Sequence, residues 1–261
     1  MSSKTAVITG ASGGIGAAAA ARFLGAGYAV CNLSRHPGPD ARVRHIPCDV
    51  ADEASVRAAF EAVSREYGHI DVLVCNAGMG ISGAAAFASE EDIGRIFSVN
   101  CFGVFRCVRE AFPFLPRGAH IVIVTSAAAV FPIPFQAYYS ATKAALQSYT
   151  LALRTELAPA GIRVSAVSPG DVRTGFTDAR VKSDAGQSLY GDRIARSVAA
   201  MERDERRGMS PDAVARVILR HAAAKNPRPV TTVGGNYRMF IVLNRILPTR
   251  LVAFLIGRLY S

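Results

Sequence analysis

Short apolar runs and longer stretches of helical character alternate from the first residues of the chain. Thr5–Thr9, Ala29–Leu33, Val43–Ile46, Asp71–Cys75, Ile121–Thr125 and Arg163–Val167 are rich in β-branched residues, and several are nearly continuously apolar. That pattern belongs to strands of a parallel sheet covered on both faces, not to a sheet with one wet face. Alanine-rich segments at 14–27, 52–67, 90–112 and 139–159 lie between them, each long enough for a crossover helix. Strand and helix in this alternation predict an α/β fold: a doubly wound, mostly parallel sheet with helices on both faces.

Two regions break the rhythm. Residues 171–209 are polar, charged and glycine-containing, with Tyr190 and the run Met201-Glu202-Arg203-Asp204-Glu205-Arg206-Arg207. An insert of this kind after a strand's carboxyl end is expected to act as a substrate lid. Residues 239–261 form the second break, with apolar stretches on either side of Pro248. Pro248, Arg245, Arg250 and Arg258 argue against a spanning helix and for two short amphipathic ones, a C-terminal helical extension. Packing on the core or on a partner subunit is the first expectation for this tail. Covering the substrate cleft and resting on a membrane surface are the others. With no internal linker and no repeat beyond the βα alternation, residues 1–261 are expected to form one domain.

Composition narrows the class without choosing a ligand. Half of the 261 residues are hydrophobic and 19% are charged, which excludes a disordered or fibrous chain. The formal charge of +10 raises the question of nucleic acid. However, the arginines are scattered through helical segments, with no basic arm or aromatic-interleaved stripe, so no nucleic-acid partner is expected. An anionic small molecule or a merely solvated basic face accounts for the charge equally well. Cys31, Cys48, Cys75, Cys101 and Cys107 have no metal-ligand spacing and lie in or beside apolar runs. No metal site is expected. The odd count, and a strand-like run that starts directly after Met1-Ser2-Ser3-Lys4, point to a reducing, cytoplasmic setting.

The first candidate chemistry lies at the end of the first strand, in Thr9-Gly10-Ala11-Ser12-Gly13-Gly14-Ile15-Gly16. Gly10 permits a tight turn, Gly14 lets the backbone approach a pyrophosphate, and Gly16 lets helix and sheet pack closely. The amides that open the following helix then face the phosphates with the favourable dipole sign. Glycines also make ordinary loops, but this triplet sits between a strand and a helix at the start of a βαβ unit. About twenty positions on, a carboxylate would bind ribose hydroxyls and repel a phosphate. The chain has Ser34-Arg35-His36 there instead. Arg35 offers fixed donors to a phosphate, so NADP(H) is expected over NAD(H). Asp40, in the Pro37-Gly38-Pro39 segment, and Asp49, after the third strand, are the carboxylates that could oppose this reading. Asp49 could instead address the adenine.

Ser126 ends the fifth apolar run, and Tyr139 and Lys143 stand four apart at the start of a helix, so their side chains share a face. A Tyr–Lys pair at that spacing also occurs on ordinary helix surfaces, and periodicity alone does not choose. Taken in order, the motifs resemble those of the classical short-chain dehydrogenase/reductase family over at least residues 4–175. They are the glycine turn, Asp49-Val50, Cys75-Asn76-Ala77-Gly78, Asn100, Ser126, Tyr139 with Lys143, and Pro169-Gly170-Asp171-Val172-Arg173-Thr174. Cys75 departs from the usual asparagine. Tyr138 is a second tyrosine, but only Tyr139 has the spacing to Lys143.

The resemblance implies a Rossmann-type seven-stranded sheet and an enzyme that interconverts a secondary alcohol and a ketone. It makes Tyr139 the proton donor and acceptor, Ser126 the group that holds the carbonyl oxygen, and Lys143 the ammonium that favours tyrosinate and binds the nicotinamide ribose. Asn100 would support a water-mediated proton route from Lys143. Ser12, Gly13, Ile15, Asn76, Ala77, Gly78, Pro169, Gly170, Val172 and Thr174 would line the cofactor. The family's 90–112 and 139–159 helices would make a homodimer or homotetramer. Val130-Phe131-Pro132-Ile133-Pro134-Phe135-Gln136-Ala137, with Met79, Gly80 and Ile81, could wall an apolar pocket for a bulky lipophilic substrate. The tail is similar to extensions in members acting on steroids and retinoids, so a hydroxysteroid comes first. A 3-oxoacyl or other carbonyl reductase is the alternative. A dinucleotide-binding regulator without turnover is the non-enzyme reading.

Overall fold

The apolar runs become strands because their side chains are needed on both faces of one sheet. In the computed structural model, which describes residues 4–259, these are β1 (Thr5–Thr9), β2 (Ala29–Ser34), β3 (Arg44–Pro47), β4 (Val72–Cys75), β6 (His120–Val124) and β7 (Arg163–Pro169). The expectations resting on Met1–Ser3 and on Tyr260–Ser261 lie outside the described residues. A seventh strand, β9 (Val230–Val233), completes a parallel sheet in the order β3-β2-β1-β4-β6-β7-β9. β5 (Ile81–Ser82) and β8 (Val181–Lys182) pair separately.

Alternate residues of each strand face opposite layers, as the two-residue period requires. Val7, Leu73, Cys75, Ile121 and Ile123 pack with Val56, Phe60, Cys107 and Leu146. These last come from α2 (Glu53–Tyr67), α4 (Gly103–Ala111) and α5 (Ala137–Glu156). Ala6, Ile8, Val72, Val74, Val122 and Val124 face the other way, against α1 (Gly14–Gly25) and α8 (Pro211–Ala223) through Ala19, Phe23, Val214 and Ile218. The result is the doubly wound Rossmann-type fold with helices on both faces. Strand order reverses between β1 and β4, which opens a crevice at the carboxyl ends of the strands. Cys75 points into the first of these layers. Burial pushes its thiol up to about 12, so it behaves as a small apolar residue there.

The structure differs from the sequence pattern in three places. The 90–112 segment is not one helix. α3 (Glu90–Phe97) and α4 are separated by a π turn at Ser98–Phe102, which turns Asn100 into the interior. β9 is too short, between Pro229 and Gly234, to stand out as a strand. α8 is announced by Ser210, whose hydroxyl accepts from Ala213 N at 3.3 Å, and by Pro211 in the first turn. The 171–209 segment holds β8, α6 (Gln187–Tyr190) and α7 (Arg193–Arg206). The β5–β8 pairing and a small cluster of Ala84, Ile194, Val198 and Met201 fasten it to the loop after β4. The tail forms α9 (Gly235–Ile246) and α10 (Thr249–Leu259).

A buried polar chain crosses the sheet at the end opposite the crevice. His120 Nε2 meets Ser165 Oγ at 2.9 Å, Ser165 Oγ meets His221 Nδ1 at 2.8 Å, and His221 Nε2 meets Thr231 Oγ1 at 2.9 Å. Burial, with Arg163 nearby, brings His120 down to about 3. Burial, with Arg220 and Arg154, brings His221 down to about 4. Both are neutral in the folded protein at ordinary pH, whereas in the unfolded chain they titrate near about 6.5. Below that value the unfolded state binds protons that the folded state refuses. Stability is therefore expected to be unaffected by them above about pH 6.5 and to fall as pH drops toward 4. Urea midpoints at pH 7.5 and 5.0 measure this. The His120→Asn/His221→Asn variant should lose most of the difference, and an unchanged pH dependence would assign acid sensitivity elsewhere.

Candidate active site

The crevice contains a cleft of about 1290 Å³. α1 starts at its edge. Gly13 at the N-cap position supplies no side-chain cap, and the first turn has no acid. The opening amides are thus left for an anion at the positive end of the helix. Gly10 has φ 70°, which glycine adopts without strain. A Cβ at Gly16 would stand 2.6 Å from Asn76 Nδ2 and 2.9 Å from Ala11 Cα, so this helix can approach β1 only without a side chain. Asn76 Nδ2 donates to Thr9 O at 3.0 Å and to Gly10 O at 3.2 Å, while Thr9 Oγ1 accepts from the Asn76 and Ala77 amides at 2.9 and 3.0 Å. The ends of β1 and β4 are thereby clamped beside the glycine turn.

At the end of β2, Ser34 is buried and donates to His36 O at 2.6 Å, whereas Arg35 lies exposed on the cleft rim. Asp40 is engaged by Arg42 at 2.7 and 3.0 Å, and those hydrogen bonds hold its carboxyl down at about 2. Asp49 Oδ1 accepts from Ala51 N at 2.9 Å, and Asp49 borders the cleft with Val50. An uncapped helix start, a glycine floor and a basic rim fit an anionic dinucleotide.

The acid–base candidates lie further along the same cleft. Tyr139 and Lys143 stand on one face of α5, with the ammonium nitrogen 5.7 Å from the phenol ring centroid. Lys143 Nζ donates to Val124 O at 3.1 Å. Burial brings Lys143 down to about 8, with Cys101 opposing. Burial pushes Tyr139 up to about 12, and its hydrogen bond with Ser126 opposes that rise. Ser126 also accepts from Ala128 N at 3.1 Å, which fixes its side chain at the start of a 3-10 turn. Tyr138 turns away and donates to Ala85 O at 3.1 Å.

Every residue expected from sequence to bind the cofactor or take part in catalysis borders this cleft except Gly16 and Asn100. Gly16 lies beneath the turn. Asn100 lies behind Gly78, fully buried, with Oδ1 accepting from Met79 N at 2.8 Å. Its Nδ2 donates to Met79 O at 3.0 Å and to Thr142 Oγ1 at 3.1 Å. The side chain thus ties the loop after β4 to α5 one turn from Tyr139.

Several groups that the sequence assigned no role beside Tyr139 also reach the site, together with the apolar walls it did anticipate. Asp171 and Glu205 border the cleft, and both bear on Tyr139 as negative charges that raise it, while Arg180 lowers it. Burial raises Asp171 itself, against a hydrogen bond from the Tyr237 hydroxyl of α9. The Tyr237 ring lies against Gly170, where any side chain would collide with it. The Phe176 ring is 5.8 Å from that of Tyr139. Phe131, Ile133, Gln136, Met79 and Gly80 wall the cleft, whereas Ile81 is drawn into β5. Phe240, Leu243, Leu247, Val252, Leu255 and Ile256 of the tail close its outer side. Among the described residues, no helix is long and apolar enough to cross a membrane, and no cluster of three His, Cys, Asp or Glu could hold a metal ion.

The chain is similar to known proteins over most of its length. The family model for short chain dehydrogenase matches residues 4–185. The chain is similar to a 3-ketodihydrosphingosine reductase of Bacteroides thetaiotaomicron, 40% identical over 233 residues, 87% of each chain. A 3-ketoacyl-(acyl-carrier-protein) reductase from Brucella melitensis, solved with NADH, superposes with a TM-score of 0.75 at 30% identity, covering 90% of this chain and 98% of that one. A short chain dehydrogenase from Burkholderia cenocepacia, solved with NADP, superposes with a TM-score of 0.73 at 28% identity and the same coverage. A glycine-floored anion cradle leads to a half-buried Tyr139 beside a buried Lys143, and with the family model matched over residues 4–185 the chain is a member of the short-chain dehydrogenase/reductase family of oxidoreductases.

Proposed function

We propose that the protein is an NADP(H)-dependent reductase of a ketone carried on a long lipophilic chain, with Tyr139 as its acid–base group. The observation that carries this reading is the convergence of Ser126, Tyr139 and Lys143 on the floor of a cleft whose outer walls are apolar and partly built by the tail. Bound in the cradle, the nicotinamide would exchange hydride with the carbonyl carbon. Ser126 holds the carbonyl oxygen, a role that strengthens as negative charge develops there. Tyr139 gives that oxygen its proton in reduction and takes it back in oxidation. The Lys143 ammonium would favour the tyrosinate left once the proton is given and, with Asn76, Ala77, Gly78, Pro169, Gly170, Val172 and Thr174, would hold the nicotinamide half of a bound cofactor. Asn100 positions the Met79 loop and α5, the framework of any proton route from Lys143.

Among the relatives named above are a 3-ketodihydrosphingosine reductase and a 3-ketoacyl-(acyl-carrier-protein) reductase, which favours an open-chain lipid ketone. The hydroxysteroid expected first from the tail becomes the second reading. It is supported by the aromatic walls at Phe131, Phe176 and Phe240. A nicotinamide-absorbance screen of long-chain 3-ketones, steroids and retinoids with both cofactors tests this. Turnover of steroids alone would reverse the order, and cofactor binding without turnover of any member would favour the regulator reading.

Arg35 carries the cofactor preference, since Asp40 is engaged by Arg42 and the end of β2 holds no carboxylate. Arg35→Ala is expected to weaken NADPH binding roughly tenfold or more, the loss of a charge-assisted phosphate contact, and to leave NADH within about twofold. Matched fluorescence titrations measure both, and equal effects would remove Arg35 from this role. A homodimer or homotetramer through the α4 and α5 faces is supported by exposed Phe102 and Phe112 at the two ends of α4 and Leu151 on α5. A reducing, cytoplasmic setting is supported by five unpaired, buried cysteines.

A further inference from the structure

The outer face of the tail is apolar and faces water. Met239, Val242 and Ile246 recur along one side of α9, with Ile246 73% exposed, and Leu251 and Phe254 continue the surface on α10, with Phe254 58% exposed. None of these five borders the cleft, whose wall uses the other side of the same helices. Exposed apolar side chains concentrated on one element mark a surface that is covered in use.

Charge identifies the cover. From Ala213 to Ser261 the chain has no Asp or Glu, while the tail contains Arg238, Arg245, Arg250 and Arg258. Arg238 and Arg250 are exposed, and the Arg258 guanidinium lies 5.4 Å from the Phe254 ring centroid. An apolar stripe on a segment whose only charged side chains are cations fits an anionic lipid surface, where the stripe enters the acyl boundary and the arginines meet headgroups. A second copy of the chain fits poorly, because a two-fold contact would bring one purely cationic segment against another with no carboxylate to offset it. Twelve residues in α9 and eleven in α10, broken at Pro248, are too few to span and enough to lie flat.

We infer that α9 and α10 dock the protein on an anionic bilayer surface, with the cleft opening beside that surface so that a lipid substrate enters without crossing water. The docking rests on the tail alone. It stands or falls separately from the substrate named above.

Co-sedimentation with vesicles of phosphatidylcholine, with and without phosphatidylglycerol, tests it on the full chain. At low salt, binding to the phosphatidylglycerol vesicles is expected to exceed that to phosphatidylcholine alone by at least roughly tenfold and to weaken as salt screens the arginines. Met239→Ser/Ile246→Ser/Phe254→Ser and Arg238→Glu/Arg250→Glu should each lose about tenfold or more of that binding while keeping wild-type cofactor affinity. The chain has no tryptophan, so Phe254→Trp gives a single reporter that does not depend on loss of function. The emission of this variant should shift to the blue on phosphatidylglycerol vesicles and be quenched by bromo-acyl lipids. The inference is overturned if wild type stays in the supernatant with both vesicles or if the Phe254→Trp emission is unmoved. It is also overturned if light scattering shows a dimer that the triple serine variant dissociates, since a second copy then covers the face.

Discussion

Tyr139→Phe is expected to lower turnover by about 10²–10⁴, the range for losing a positioned general acid, while cofactor affinity stays within about twofold. The phenyl ring keeps the volume and the contact with Phe176, 5.8 Å between centroids, so the cleft retains its shape. What is lost is the proton for the developing alkoxide. Lys143 cannot replace it directly. Its nitrogen donates to Val124 O and lies 5.7 Å from the Tyr139 ring centroid. Ser126 can orient the oxygen but is a far weaker acid than a phenol. Burial pushes the Tyr139 hydroxyl up to about 12, and the same burial brings Lys143 down to about 8. Both shifts favour the uncharged forms, so the cleft holds Tyr139 as the protonated phenol, the form that gives its proton in reduction. Steady-state kinetics with titration of cofactor binding separates the two effects. Wild-type turnover in the variant would assign the proton to another group.

The second large effect is structural. The Arg180 side chain has no exposure to solvent, its guanidinium pairs with Glu205, and it lies 5.7 Å from the Phe176 ring centroid. Glu205 is held in turn by Thr177 Oγ1 at 2.7 Å. Nε and Nη1 of Arg180 are buried without a protein acceptor among the described residues. Glu205→Ala therefore strands a buried cation and should cost about 3–5 kcal/mol of stability. Replacing both partners by apolar residues, Arg180→Met/Glu205→Leu, should recover most of it, because the penalty arises from the unpaired charge and not from the missing attraction. Urea midpoints of the single and double variants measure this. A single variant within about 1 kcal/mol of wild type would mean that water reaches the guanidinium. The pair ties two parts of the 171–209 segment together where Glu205 borders the cleft, so the double variant reports whether substrate affinity depends on that charge pair or only on its packing.

Legibility followed the range of the interactions. The strands β1, β2, β4, β6 and β7 and the glycine turn could be read because a fully buried parallel strand needs a continuous apolar run, and a tight turn between strand and helix needs glycines at fixed positions. Ser126, Tyr139 and Lys143 could be chosen only with the whole series of motifs in order. The structure adds a local reason for preferring Tyr139 to Tyr138, since the neighbour's hydroxyl is spent on Ala85 O. The π turn that inverts Asn100 could not be read, because Ser98–Phe102 has the composition of an ordinary helix. β9 and the β5–β8 pair were hidden for a similar reason. Strands this short are stabilised by their neighbours and not by their own pattern.

The sequence by itself determined the fold class, the glycine turn after β1, the absence of a carboxylate at the end of β2 and the two-helix form of the tail. These depend on residue types at fixed short spacing. Only the tertiary structure decided which side of the tail walls the cleft and which faces outward, that Tyr237 of α9 reaches Asp171 beside Gly170, and that Arg180 is buried against Glu205. The last two join residues 66 and 25 positions apart. No local periodicity records them, because such contacts exist only once the sheet has brought distant segments to one edge.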